Sequence, residues 1–185
     1  MPMKALLLID IQKGLQEQDY YGEERNNPDA EVHSAQILKA FRAKKLPVFH
    51  VQHCSTNPNS PLHPSKPGNA FNPLVQPEAG EPIFQKSVNS AFIGTDLEST
   101  LKSEKITDVV IVGLTTEHCI STSTRMAANL GFNVTLVSDA TAAFNKTGIN
   151  GENYSAELTH SLELANLKDE FATVQNTQTL LEELG

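Results

Sequence analysis

Runs of consecutive apolar residues alternate along this chain with stretches whose apolar residues recur every three or four positions. The clearest run is 109–112, Val-Val-Ile-Val, which lacks the polar alternation of a half-exposed strand. Such a run is typical of a parallel strand that is covered on both faces. By the same criterion, together with flanking turn residues, the sequence predicts strands at 4–11, 47–51, 82–85, 109–112, 133–138 (ended by Asp139) and 171–174.

Helices are predicted between these strands, at 29–45, 94–104, 117–130, 153–168 and 177–184. Asp29, Thr95 and Thr116 are expected at the first three helix starts, and Gly131 after the third helix. In the helix at 153–168, Leu158, Leu162 and residues 164–167 are expected to face inward. Residues 12–28 are predicted to form a polar loop.

The segment 54–82 is dense in proline, with Pro58, Pro61, Pro64, Pro67, Pro73, Pro77 and Pro82. Proline interrupts regular helices, so the segment is predicted to be a long ordered excursion that covers the site as a lid or forms a subunit interface. The alternation of strands and helices elsewhere predicts one α/β domain over 1–185, a parallel sheet between two helical layers.

Composition narrows the functional classes. The formal net charge of −8 argues against a nucleic-acid partner, because the phosphate backbone attracts basic surfaces. The apolar run at 5–9 is too short to span a bilayer, and no signal-peptide cleavage pattern follows it. The two cysteines, Cys54 and Cys119, form no disulfide framework. We therefore expect a cytoplasmic protein that acts on a small molecule, with Cys54 structural or incidental.

Three chemically useful residues are expected at the carboxyl ends of strands, where open α/β sheets bind ligands. Asp10 ends the first strand, Lys86 follows the third, and Cys119 follows the fourth. In the common doubly wound order the first and fourth strands are neighbours, so Asp10 and Cys119 are expected to face each other. A cysteine in the first turn of a helix is favoured as a thiolate, although a buried structural cysteine is an equal alternative on sequence grounds.

Together these residues suit amide hydrolysis through a thioester. The carboxylate accepts the thiol proton and returns it to the leaving amine, while the lysine balances charge. Backbone N–H groups within 114–119 are candidates for an oxyanion hole.

The same residues resemble the isochorismatase-like cysteine hydrolase family, which includes nicotinamidases, N-carbamoylsarcosine amidases and ureidoacrylate amidases. The matching motifs are Leu-Leu-Leu-Ile-Asp-Ile-Gln at 6–12, Lys-Ser-Val-Asn-Ser-Ala-Phe at 86–92, Gly-Leu-Thr-Thr-Glu-His-Cys-Ile at 113–120 and Val-Ser-Asp-Ala at 137–140. The resemblance implies a Rossmann-type, six-stranded parallel sheet in the order 3-2-1-4-5-6. It implies catalytic roles for Asp10, Lys86 and Cys119, and a homodimer or homotetramer.

By the same resemblance, a cis peptide is expected at Leu114–Thr115, with the N–H groups of Thr115 and Cys119 forming the oxyanion hole. Nicotinamidases bind a metal through an Asp-x-His pair after the second strand, but this chain has His-Val-Gln-His-Cys-Ser at 50–55. His53 and His63 are of a ligand type, yet polar loop residues are the simpler interpretation, so no metal and no cofactor are expected. Candidate substrate contacts are Gln12, Gln16, Ser90, Phe92 and His118.

The preferred hypothesis is a cysteine hydrolase that cleaves a C–N bond in a small amide, ureido or carbamoyl compound. Two alternatives remain open. One is an isochorismatase-type hydrolase that does not use the cysteine, and the other is a redox or ligand-binding protein in which Cys119 is oxidised to a sulfenic acid.

Overall fold

A six-stranded parallel sheet forms the centre of the computed structural model, which describes residues 3–185. Its strands are β1 (Met3–Ile9), β2 (Val48–His53), β3 (Ile83–Lys86), β4 (Ile106–Leu114), β5 (Asn133–Ala142) and β8 (Thr173–Gln175). Two further strands, β6 (Lys146–Thr147) and β7 (Asn153–Tyr154), pair as a separate antiparallel hairpin. The sheet order is β3-β2-β1-β4-β5-β8, which confirms the predicted six-stranded topology.

Two apolar cores lie on opposite faces of this sheet. The helices are α1 (Gln18–Tyr21), α2 (Ala30–Ala43), α3 (Leu97–Ser103), α4 (Ser121–Asn129), α5 (Ala156–Leu167) and α6 (Thr177–Leu184). Leu6 and Val110 pack in the core that includes residues of α2 and α6. Leu7 and Ile111 pack in the core that includes residues of α3, α4 and α5. Because both faces are covered, the central strands need no polar alternation.

The fourth crossover begins differently from the prediction. A π-helical turn, Thr116–Ile120, precedes α4, so the α-helix starts at Ser121 and not at 117. Thr116 does not cap a helix, because its Oγ1 is instead 2.8 Å from Nδ1 of buried His160. β5 also runs past Asp139 to Ala142, because its pairing with β4 shifts register between Ile111 and Gly113 and then resumes.

Other boundaries shift by a few residues. α2 and α3 are shorter than predicted, and Asp29 makes no side-chain cap. Asp96, not Thr95, occupies the N-cap of α3. Residues 12–28 include a 3-10 turn, Lys13–Gln16, and α1. The proline-rich segment is irregular apart from two short 3-10 turns, Pro67–Asn69 and Pro73–Val75.

The prediction of an inward face for α5 was wrong at Leu158, Leu162 and residues 165 and 166, which are all exposed. Leu158 and Leu162 are 51% and 59% exposed, because the buried face of α5 carries Ala156, His160 and Leu167. Within residues 3–185, no helix combines the length and apolar character needed to cross a membrane.

Candidate active site

The ends of three strands bring Asp10, Lys86 and Cys119 together. Asp10 follows β1, Cys119 lies in the turn after β4, and Lys86 ends β3, two strands away from β1. The lysine side chain bridges that gap. Its Nζ donates to Oδ2 of Asp10 at 2.6 Å and to Sγ of Cys119 at 3.3 Å. The structure thus places the three predicted residues at one point, and the Lys86 side chain is fully buried.

His53 makes the third contact of the Lys86 ammonium. It ends β2, pairs with Lys86 in the β2–β3 register, and its Nδ1 lies 3.0 Å from Nζ. An ammonium has three N–H donors, so contacts to Asp10, His53 and Cys119 use all of them. The ligand atoms of those three residues lie within 4.8 Å of one another, a spacing that suits a metal ion, but here the lysine ammonium contacts all three.

Asp10 is held in an uncommon backbone conformation. Its φ is 55°, a left-handed value that few non-glycine residues adopt, and the residue is 1% exposed. Only Oδ2 is engaged, because Oδ1 accepts no hydrogen bond from any residue within 3–185. A carboxylate that is fixed by one oxygen keeps the other oxygen available to accept a proton.

The surroundings of Cys119 favour the thiol, contrary to the thiolate that its place near a helix start favoured. Burial raises the pKa of the thiol above its ordinary value, the negative charge of Asp10 raises it further, and the Lys86 ammonium acts in the opposite direction. Burial outweighs the helix terminus, since the residue lies inside a π-helical turn and not at the exposed first turn of a helix. The neighbouring carboxylate therefore has a proton to accept.

The turn that carries Cys119 follows the close approach of β4 to β1. The peptide bond Leu114–Thr115 is cis, as the resemblance implied. The N–H groups of His118 and Ile120 both donate to the carbonyl of Thr115, at 3.1 and 3.2 Å. These two hydrogen bonds hold together the turn that contains Thr115 and Cys119, whose N–H groups are the oxyanion-hole candidates.

A cavity of about 290 Å³ opens onto Asp10 and Cys119. Its apolar wall combines residues from the 3-10 turn Lys13–Gln16, α1, the proline-rich segment, β4 and the chain after β5: Leu15, Tyr20, Tyr21, Leu62, Leu114 and Phe144. Its polar wall consists of His53, Ser60, Asn89, Thr115, Glu117, His118 and Lys146. Glu117 and Lys146 form an ion pair of 2.9 Å. A site of this size fits a small molecule with an apolar part and a few polar groups.

The predicted substrate contacts separate into two groups. His118 lines the cavity, with a side chain that is 56% exposed. Gln12, Gln16, Ser90 and Phe92 are not among the described residues that line it. Gln12 is buried and bonds to backbone, Gln16 is exposed, and Phe92 stacks on Phe132. Ser90 is buried and accepts from the N–H of Phe92.

Several cavity residues carried no signal in the sequence. Tyr20, Tyr21 and Lys146 come from the loop after β1 and the short hairpin, where no motif marked them. The position of His53 just after a predicted strand could have marked it as a site residue, because ligands bind at the carboxyl ends of such strands. His63, the other histidine weighed as a metal ligand, lies outside the cavity in the proline-rich segment and contacts Ser65.

Comparison with known proteins shows the family of this chain. The sequence model of one protein family, the isochorismatase domain, matches residues 4–179 of this chain. The chain belongs to the isochorismatase family. Within this hydrolase family it is 47% identical over 180 residues to YrdC of Bacillus subtilis, with coverage of 97% of this chain and 95% of YrdC. A family member from Chromobacterium violaceum has a similar structure, with a TM-score of 0.94 and 41% identity over 99% of this chain and 94% of that chain.

Two more distant relatives carry named activities. A streptothricin hydrolase from Streptomyces noursei is 26% identical over 147 residues, which cover 78% of this chain and 56% of that protein. A ureidoacrylate amidohydrolase from Agrobacterium fabrum is 33% identical over 67 residues, which cover 36% of this chain and 29% of that protein.

Proposed function

We propose that this protein is a cysteine hydrolase that cleaves a C–N bond of a small amide, ureido or carbamoyl compound through a thioester. The observation that carries the proposal is the position of the Lys86 ammonium, 2.6 Å from the Asp10 carboxylate and 3.3 Å from the Cys119 sulfur, because both of these residues line the cavity. The activity named for the ureidoacrylate amidohydrolase supports the same bond type.

In the first half of the reaction, Sγ of Cys119 attacks the carbonyl carbon of the substrate as Oδ1 of Asp10 accepts the thiol proton. The tetrahedral oxyanion is stabilised by the N–H groups of Thr115 and Cys119. The C–N bond then breaks, Asp10 protonates the leaving nitrogen, and an acyl thioester remains on Cys119. Lys86 keeps the carboxylate in place and offsets the negative charge that passes between oxygen and sulfur.

In the second half, a water molecule attacks the thioester carbonyl while Asp10 accepts its proton. The C–S bond breaks, the acid product leaves, and the proton returns to the sulfur. Every proton in the cycle moves through one carboxylate, which agrees with a resting thiol of raised pKa beside an oxygen without a hydrogen bond.

The test combines turnover with a covalent trap. A panel of small amide, ureido and carbamoyl compounds is incubated with the protein, and released ammonia or amine is measured. Intact-protein and peptide masses are recorded to detect an acyl group on Cys119. We expect Cys119→Ser to lower turnover at least ~10²-fold, with Cys54→Ala as the matched control at the other cysteine.

Two results would contradict the proposal. Full turnover by Cys119→Ser would indicate an isochorismatase-type hydrolase that does not use the cysteine. Absence of any acyl adduct and any turnover, together with rapid peroxide oxidation of Cys119 to a sulfenic acid, would indicate the redox alternative.

We also propose that the chain assembles as a homodimer or homotetramer. The exposed Leu158 and Leu162 lie one turn apart on α5, a pairing that places both on the same helix face. Light scattering of the wild type and of a Leu158→Gln, Leu162→Gln variant tests this; a monomeric wild type would contradict it.

A further inference from the structure

His53 is unusually well fixed for a residue at the edge of a cavity. Its backbone N–H donates to Oε1 of Gln12 at 2.9 Å, and its carbonyl accepts from Nε2 of Gln12 at 3.0 Å. The same carbonyl accepts from Nδ2 of Asn69 at 3.0 Å. The buried Gln12 amide therefore holds both backbone groups of His53, and the ring itself is held by its contact with Lys86.

The fixed imidazole points one ring nitrogen at the Lys86 ammonium. Nδ1 lies 3.0 Å from Nζ, and an ammonium is only a donor, so Nδ1 accepts and the remaining proton of the neutral ring is on Nε2. Without this acceptor, one N–H of a fully buried ammonium would lose its partner. The ammonium would then be drawn away from Asp10 and Cys119.

We propose that His53 is a positioning residue, whose neutral imidazole accepts a hydrogen bond from Lys86 and so holds the ammonium between Asp10 and Cys119. This role rests on the proposed cysteine chemistry for its effect on turnover. The contact itself is testable without a substrate. His53 acts through Lys86, and its Nδ1 is already engaged, so no direct step on the substrate is assigned to it.

Burial and the neighbouring ammonium both favour the neutral imidazole. Burial lowers the pKa of His53, the Lys86 charge lowers it further, and Asp10 acts in the opposite direction. Protonation would remove the Nδ1 lone pair and place a second positive charge beside the ammonium. The other ionisable groups that line the cavity with His53 are Tyr20, Tyr21, Glu117, His118 and Lys146, and among them Glu117 and Lys146 pair with each other.

Two substitutions of His53 distinguish its role as a hydrogen-bond acceptor from its ability to take up a proton. His53→Asn offers an amide oxygen near the place of Nδ1 but does not titrate, whereas His53→Leu offers neither acceptor nor proton. The probe is iodoacetamide, and the rate of Cys119 alkylation is measured by peptide mass from pH 5 to pH 9. His63→Asn is the control at a histidine that lies outside the cavity.

We expect His53→Leu to slow Cys119 alkylation at pH 8 by at least ~10-fold, because the thiolate loses its ammonium. His53→Asn should stay within ~3-fold of the wild type. Below pH 6.5 the wild-type rate should fall more steeply than that of His53→Asn, since only the wild type can protonate the ring. On any hydrolysed substrate, the loss should appear in kcat more than in KM.

Equal alkylation rates for His53→Leu and the wild type would overturn the proposal. So would a loss of ~10-fold or more at pH 8 in His53→Asn, which keeps an acceptor near the place of Nδ1, and this comparison decides the question if His53→Leu does not fold. These results are independent of the Cys119→Ser turnover test, so failure of this proposal is distinguishable from failure of the proposed function.

Discussion

The carboxylate of Asp10 and the ammonium of Lys86 share a buried hydrogen bond of 2.6 Å across 76 residues of sequence. Asp10 thereby has two opposing influences on Cys119. Its charge raises the pKa of the thiol, and in the proposed mechanism its free oxygen accepts the thiol proton. Reactivity of the thiol toward an alkylating agent and reactivity toward a substrate should therefore respond differently when the carboxylate is removed.

Asp10→Asn is expected to lower turnover at least ~10²-fold while it speeds alkylation of Cys119 at pH 7. The amide removes the negative charge that disfavours the thiolate, but it cannot accept a proton. Lys86→Met should slow both reactions, because the thiolate loses the adjacent positive charge. Iodoacetamide labelling resolved by peptide mass checks alkylation and distinguishes Cys119 from Cys54. Slower alkylation of Asp10→Asn would contradict the electrostatic argument.

Gln12 joins two parts of the fold at the base of the site. Its side chain bonds to the backbone of His53 and to the carbonyl of Asn69, 41 and 57 residues away. Gln12→Leu should lower the free energy of unfolding by about 1–3 kcal/mol, because the backbone N–H of His53 loses its acceptor and the carbonyls of His53 and Asn69 each lose one of two donors. It should also slow Cys119 alkylation by displacing His53. Urea denaturation measures the first effect.

Gln16→Leu is the matched control for that substitution, since Gln16 is exposed and only four positions away. We expect a change within about 0.5 kcal/mol for this variant. If Gln16→Leu lost as much stability as Gln12→Leu, the loss would come from replacing any glutamine in this loop and not from the hydrogen bonds between Gln12 and His53.

Much of this site could be predicted from the sequence because its parts sit at strand ends. Apolar runs located β1 and β4. The carboxyl ends of neighbouring parallel strands lie at the same edge of the sheet, so Asp10 and Cys119, which follow these strands, are brought close together. The role of Gln12 could not be predicted, since its partners are backbone groups in distant segments. The contact between His53 and Lys86 could be recognised only once the β2–β3 register was known. The cavity residues Tyr21 and Lys146 lie in segments without a hydrophobic period. The reversed direction of the thiol pKa followed from burial, which a motif does not report.

Gly113 of β4 pairs with Ile9 of β1 in the parallel register. Its φ is 129°, and a Cβ at this position would overlap the carbonyl oxygen of Ile9, directly before Asp10. Gly113→Ala must therefore separate the two strands that carry the site, and we expect it to lower the free energy of unfolding by about 3–5 kcal/mol and to abolish turnover.

Gly131→Ala provides the control, because Gly131 also has a positive φ, 91°, but an alanine methyl group there would meet only open space. Only backbone strain applies at that position, so the expected loss is roughly 1–2 kcal/mol. Thermal unfolding of both variants measures the difference. Similar losses at the two glycines would mean that the contact with Ile9 is readily relieved.

Glu81 ties the end of the proline-rich segment to the body of the fold. Its carboxylate accepts from Arg42 of α2 at 2.7 and 2.8 Å and lies 2.8 Å from Nε2 of the buried His50. Burial alone would raise the pKa of Glu81. Hydrogen bonds from Arg42, the Glu78 N–H and His50, with the charge of Arg42, instead lower it to about 2 from an ordinary 4.5.

A depressed carboxyl pKa has a definite sign in the pH dependence of stability. The folded state favours the ionised form, so the stabilisation is fully present well above pH 4.5 and is lost as the pH falls from 4.5 toward 2. Glu81→Gln should thus lower the free energy of unfolding at pH 7 by about 1–3 kcal/mol, and the difference from the wild type should shrink steadily below pH 4.5. Glu78→Gln, at a more exposed partner of Arg42, should have a smaller effect. Urea denaturation of the three proteins between pH 3 and pH 7 measures these differences. The difference in the free energy of unfolding between Glu81→Gln and the wild type could instead stay constant over this range. Glu81 would then stabilise the fold through its shape and hydrogen bonds, and not through its ionisation.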